Sequence, residues 1–212
     1  MKQSCKWMAL LLSGLMLLSA CNKSEETTKK QKTKTKKTKV EDVDVDETDE
    51  PEVTKKQKNR SASLQSKDFG SYTLDGSWVE VESQSMPPEI FVYCLKGNED
   101  SKTPPNNIVV RYGTNDYTKE QHEDFCTAIL VQVKQQAASF GGDAHMEEFG
   151  EINGCMCYKF VMDCDPYTIQ WYFCGEKEFV MVGMSIYDQE AAKEDRIEEV
   201  AQMIVDSFIW NR

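Results

Sequence analysis

Histidine is nearly missing from this chain: His122 and His145 are the only two in 212 residues, so proton transfer near neutral pH has two imidazole seats at most. There is no Gly-rich phosphate loop and no Gly-x-Ser-x-Gly elbow, which removes the usual sequence grounds for a nucleotide enzyme or a serine hydrolase. Positive charge is short as well. Lys and Arg number 25 against 36 Asp and Glu, a net charge of -11, and a nucleic-acid binder would need the opposite sign to displace counterions from phosphates. The longest apolar run, Trp7 to Leu18, has 12 residues broken only by Ser13 and Gly14; as a helix it covers about 18 Å of a roughly 30 Å hydrocarbon core. Aromatic residues are absent from Asn22 to Ser66, so that stretch lacks the means to build a core.

What the head does carry is an address. Lys2 and Lys6 precede the apolar run as a charged n-region precedes an h-region. The run closes on Leu18-Ser19-Ala20-Cys21, which resembles the bacterial lipobox: an aliphatic residue, two small ones, then the cysteine that receives a diacylglyceryl group before cleavage. The resemblance implies a signal peptide over residues 1–20, lipid attachment at Cys21, and an extracytoplasmic protein whose membrane partner is reached through that lipid. Two acyl chains at about 0.8 kcal/mol per buried CH₂ anchor stably.

Residues 21–66 read as a disordered tether, since without apolar periodicity the chain cannot offset its ordering entropy. Its charge comes in blocks: eight Lys with two Glu over residues 22–40, eight acids over 41–53, and Lys55, Lys56, Lys58 and Arg60. Asp42-Val43-Asp44-Val45-Asp46 is no calcium loop, because Glu47 stands where the loop requires Gly and Val53 where it requires Glu. The Lys block beside the lipid suits an anionic surface or a solubilising spacer.

The folded domain is expected over residues 67–212, where all nine Phe, all eight Tyr and three of the four Trp lie. Short apolar clusters at Ser71 to Leu74, Trp78 to Val81, Glu89 to Leu95 and Ile108 to Tyr112 predict strands. Phe125, Ile129, Val133 and Ala137 recur every four residues with Cys126 and Leu130 beside them, predicting an amphipathic helix over Tyr117 to Ala138 that ends at Phe140-Gly141-Gly142. Asn153-Gly154 predicts a type I′ hairpin between His145 to Ile152 and Cys155 to Asp163. Tyr167 to Phe173 and Phe179 to Ile186 are nearly continuous in apolar residues, as strands buried on both faces are. A last helix is expected over Gln189 to Trp210, capped by Asp188.

This order of elements, with Tyr72-Thr73-Leu74-Asp75-Gly76-Ser77-Trp78 opening the domain, Ile152-Asn153-Gly154 before the central strand and Ser207-Phe208 near its end, resembles the PsbP/Mog1-like family over Ser71 to Arg212. The resemblance implies an α+β fold in which an antiparallel sheet is sandwiched between helices. It also implies a binding or accessory module acting on a protein or envelope ligand, with no catalytic residue, cofactor or metal to carry over.

Chemistry is sparse. His122 is expected on the polar, solvent side of its helix, and Asp143 and His145 share a strand face where they could pair. Six cysteines beyond the anchor are left: Cys94 and Cys126 read as small buried hydrophobes, while Cys155, Cys157, Cys164 and Cys174 belong to one hairpin. A four-residue loop sets Cys174 opposite Cys155 or Cys157, according to which four residues it uses, and so predicts a Cys174 disulfide to one of them in an oxidising space. The alternative class is an extracytoplasmic enzyme, or a thiol-redox or metal-binding protein using these four thiols.

Overall fold

A computed structural model describes residues 61–82 and 86–211. The signal, Leu18, Ser19, Ala20, Cys21 and nearly all of the expected tether lie outside the described residues.

The described chain is mixed α+β with antiparallel sheets. Strands β1 (Ala62–Lys67) and β2 (Gly70–Asp75) form a hairpin, and β3 (Trp78–Glu80), β4 (Ile90–Leu95) and β5 (Asn107–Thr114) follow. Helix α1 (His122–Ser139) leads to a meander of β6 (Asp143–Ile152), β7 (Cys155–Asp163), β8 (Tyr167–Cys174) and β9 (Glu178–Ile186). The chain closes with α2 (Gln189–Asp195), α3 (Ile197–Ser207) and β10 (Ile209–Trp210). The main sheet has seven strands ordered β3-β4-β5-β9-β8-β7-β6, and β1-β2-β10 form a smaller sheet.

The period of two decides where each side chain goes. On β8, Ile169, Trp171 and Phe173 enter one core with the α3 residues Ile197, Val200, Ala201, Ile204 and Val205. Tyr172 and Cys174 enter a second core with the α1 residues Phe125, Cys126, Ile129, Val133 and Ala137. Helix α1 packs on β6 and β7, whereas α3 packs on β2, β9 and β5. Both faces of β8 and β9 are thus buried, which is why those strands read as continuous apolar runs.

Several sequence signals act as expected. Asn153 and Gly154 take φ of 50° and 78°, the paired positive values of a type I′ turn, and Ile152 faces Cys155 across it. Asp188 Oδ1 accepts from the Glu190 and Ala191 amides at the start of α2. The stop at Gly141 is also as read: its φ is 76°, and the Gly142 amide returns to the Ala137 carbonyl.

Other expectations are corrected. The expected tether reaches residue 66, yet β1 begins at Ala62 and pairs along β2 from Ala62↔Asp75 to Lys67↔Gly70; its stabilisation comes from backbone pairing, with Leu64 72% exposed, so no burial pattern announces it. The single last helix is interrupted at Arg196, whose φ of 54° is left-handed and turns the chain between α2 and α3. Its final turn is instead strand β10 on the edge of β2, with Ile209 opposite Ser71. Helix α1 starts at His122 rather than Tyr117, after a 3₁₀ turn over Lys119–Gln121 in which the Thr118 amide donates to Gln121 Oε1 at 3.1 Å and the Gln121 amide donates to the Thr118 carbonyl at 3.0 Å.

Candidate functional site

The hairpin register fixes the fate of the predicted cysteine pairing. Between β7 and β8 the connection is Cys164 to Pro166, three residues rather than four, and Met162 faces Thr168 while Cys157 faces Phe173. An odd-length loop makes facing residues share parity, so Cys174 lies on the opposite sheet face from Cys155 and Cys157. Cys155 and Cys157 accordingly belong to the α3-side core and Cys174 to the α1-side core. The expected disulfide from Cys174 to Cys155 or Cys157 is therefore corrected: Cys174 lies under one helix and Cys155 and Cys157 under the other, and no bridge joins them.

Two of the hairpin thiols are engaged in hydrogen bonds. Cys155 Sγ donates to the Cys174 carbonyl at 2.9 Å and accepts from Trp210 Nε1 at 3.3 Å. Cys164 Sγ donates to the Pro166 carbonyl at 3.3 Å. Burial pushes the Cys157, Cys174 and Cys164 thiols above the ordinary cysteine range.

The two histidines depart from expectation as well. His122 is half-buried, not solvent-facing, because the first residue of α1 leans over β7: its Nδ1 lies 2.6 Å from the Tyr158 hydroxyl. His145 sits on edge strand β6 with Nδ1 3.7 Å from Asp163 Oδ2, both side chains mostly exposed. Asp143 is not its partner, since Asp143 Oδ1 accepts from the Ala144 amide.

What the structure gathers lies at the N-terminal end of α1, over the outer strands of the main sheet. Tyr158 receives His122 on its hydroxyl and Phe149 on its ring, stacked at 5.5 Å and 22°. Burial raises the Tyr158 phenol to about 12, so it stays protonated at any physiological pH. One helical turn beyond His122, Cys126 Sγ donates to Met146 Sδ at 3.5 Å. Burial, with a smaller effect from the Glu123 carboxylate, raises the Cys126 thiol to about 11. Phe149 is 62% exposed and Met146 38% exposed, so this constellation meets solvent.

One signal that could have pointed to it is the four-residue spacing of His122 and Cys126. Met146 and Phe149 could not be added, because the pairing of β6 with β7 slips between Met146 and Glu148 and the strand faces change there. Among the described residues no group of three or more His, Cys, Asp and Glu converges as a metal centre would.

A second polar locus is structural. Asn106 Oδ1 accepts from the Tyr187 and Asp188 amides at 2.8 and 2.9 Å, and its Nδ2 donates to the Asp188 carbonyl at 2.9 Å and to Asp195 Oδ2 at 3.2 Å. Trp78 Nε1 donates to the Asp195 carbonyl, tying β3 to the junction of α2 and α3.

No family model and no curated protein matches this chain. Among solved structures it is similar to the solution structure of cyanobacterial PsbP (CyanoP) from Synechocystis, with a TM-score of 0.47 and 12% identity, over 74% of this chain and 96% of that one. It is also similar to a protein of Bacteroides thetaiotaomicron, with a TM-score of 0.37 and 10% identity, over 68% of this chain and 46% of that one. Neither likeness gives a residue a role.

Proposed function

We propose that this protein is a bacterial lipoprotein, anchored through Cys21 in the extracytoplasmic space and presenting a PsbP/Mog1-like helix–sheet–helix domain as a binding or accessory module. The observation that carries the reading is the coincidence of Leu18-Ser19-Ala20-Cys21 with the end of the apolar run from Trp7. A plain spacer requires neither the two small residues nor the cysteine at that point. The order of elements supports the fold type: a strand pair, three strands, a helix, a four-stranded meander and a helical close.

A module that binds, rather than turns over, its protein or envelope ligand suits the placement of the titratable groups. His122 is engaged by Tyr158, His145 lies at a sheet edge beside Asp163, and burial holds the Cys157 and Cys174 thiols protonated in two separate cores. The test is metabolic labelling with a palmitate analogue followed by detergent phase partitioning. Wild type is expected to be labelled and to enter the detergent phase, and Cys21→Ala to lose both properties; normal labelling of Cys21→Ala refutes the anchor.

A further inference from the structure

The hairpin cysteines are dispersed between two cores, but another set of soft donors is brought together where α1 meets β6. His122 and Cys126 stand four residues apart on α1, a spacing that puts two side chains on one helix face with Cβ atoms about 5–6 Å apart. Met146 comes from β6 to place its thioether 3.5 Å from the Cys126 sulfur. A Cys–Met contact inside a core is ordinary filling. This one differs in two ways: Met146 is 38% exposed, and the helix position one turn before Cys126 holds an imidazole instead of an apolar side chain.

We propose that Cys126, Met146 and His122 form a binding site for a soft monovalent metal ion, Cu(I), at the junction of α1 and β6. The thioether selects the ion. Zinc sites take Cys, His, Asp and Glu, whereas thiolate with thioether is the donor chemistry of Cu(I), and imidazole is compatible with it. Two sulfurs bound to one ion at about 2.3 Å lie roughly 3.8–4.0 Å apart, so the Cys126–Met146 pair, now at 3.5 Å, has to open by only a few tenths of an ångström.

The surrounding groups fit this role. The Tyr158 hydroxyl lies 2.6 Å from His122 Nδ1 and holds the ring; in the tautomer that carries the proton on Nδ1, Nε2 is the nitrogen available to the ion. Phe149 stacks on Tyr158 at the exposed side, giving the site an apolar rim. Glu123, on the same turn, adds negative charge that favours a cation. Binding forms two S–Cu bonds and one N–Cu bond and releases the Cys126 thiol proton to solvent; copper enters and remains as Cu(I), so no electron is transferred.

The test uses the full chain purified in detergent, kept anaerobic and reduced, and titrated with Cu(I) against a chromophoric chelator. Wild type is expected to retain one ion that Met146→Leu and His122→Gln each weaken at least tenfold and Cys126→Ser at least a hundredfold, with Cys164→Ser unchanged. X-ray absorption should show two sulfurs and one nitrogen in wild type and one sulfur fewer in Met146→Leu. Should Cys126→Ser fail to fold, Met146→Leu decides alone, since it is isosteric and lies at the surface. Absence of retained Cu(I) in wild type, or affinity and sulfur count unmoved by Met146→Leu, overturns the proposal.

Discussion

Asn106 and Asn107 are adjacent, chemically identical and both buried, yet the structure gives them opposite weights. The Asn106 amide makes four hydrogen bonds that join the start of β5 to both ends of α2. Truncation to Ala forfeits all four and strands two backbone amides, a carbonyl and a carboxylate oxygen. At about 1 kcal/mol per bond, with 1–3 kcal/mol for a buried group left unpaired, Asn106→Ala should cost about 3–4 kcal/mol. Asn107 Nδ2 makes one bond, to the Pro105 carbonyl at 2.9 Å, and its Oδ1 finds no partner among the described residues. Asn107→Ala therefore loses one bond and also removes an unsatisfied acceptor, for a net cost of about 1 kcal/mol or less. Urea unfolding of the full chain measures both. With a slope of about 2 kcal/mol/M the first variant should lower the midpoint by roughly 1.5–2 M and the second by under 0.5 M.

The pH dependence gives a second reading of the same site. Burial raises the Asp195 carboxyl above its ordinary value, and the Asn106 bond opposes that rise. A carboxyl whose pKa is raised on folding binds more protons folded than unfolded, so its ionisation weakens the fold as pH climbs through the raised value. Removing Asn106 raises it further. The stability gap between wild type and Asn106→Ala should hence be widest near neutral pH and narrow as pH falls toward the ordinary carboxylate range near 4. Equal costs for the two asparagine variants, or a gap independent of pH, would refute this account of the α2 junction.

Two further outcomes follow from the corrected elements. Arg196 holds a left-handed φ of 54° between α2 and α3, so Arg196→Gly should stay within about 1 kcal/mol of wild type while the β-branched Arg196→Val loses roughly 2 kcal/mol; thermal unfolding with Val as stable as Gly contradicts the turn. Deleting Ser61 to Lys67 removes strand β1, with the Lys67 pair to Glu80 at 2.7 Å and its position 3.9 Å over the Phe91 ring. That should cost about 2 kcal/mol or more, and a deletion without effect on the urea midpoint would return those residues to the tether.

Where the sequence was informative, one local signal and the burial it implies pointed the same way. Phe125, Ile129, Val133 and Ala137 announced α1 because a helix stripe and a core face are one pattern, and Asn153-Gly154 announced its turn because both residues accept positive φ. The unread parts depend on partners distant in the chain. Among the described residues strand β1 pairs only with β2, the left-handed Arg196 lies next to a buried Asp195 held by Asn106 from 89 residues away, and His122 gains its burial from Tyr158 on another element. The candidate site needed both a helix spacing, which is local, and the slipped pairing of β6 that brings Met146 to Cys126, which is not.

The hairpin thiols show most sharply how a single residue of loop length governs chemistry. A connection of even length would place Cys174 and one of Cys155 or Cys157 side by side on one face; the three-residue connection sends them to opposite faces, each under a different helix. Proximity survives, since Cys155 Sγ reaches the Cys174 carbonyl at 2.9 Å, but the two sulfurs are separated by the sheet itself. Oxidant in the surroundings therefore cannot join them unless β7 and β8 first part. Alkylation of the native chain at pH 8 should modify Cys164, the one partly exposed member of the four, before the others. Cys157 and Cys174 should react only through global unfolding, slowed about tenfold for every 1.4 kcal/mol of stability. Because Asn106→Ala lowers that stability, it should accelerate labelling of Cys157 and Cys174 by two orders of magnitude or more and leave Cys164 nearly unchanged. Peptide mapping of aerobically prepared protein that finds Cys174 bridged to Cys155 or Cys157, or labelling of Cys174 as fast as Cys164, would show that the register of this hairpin is not the one described.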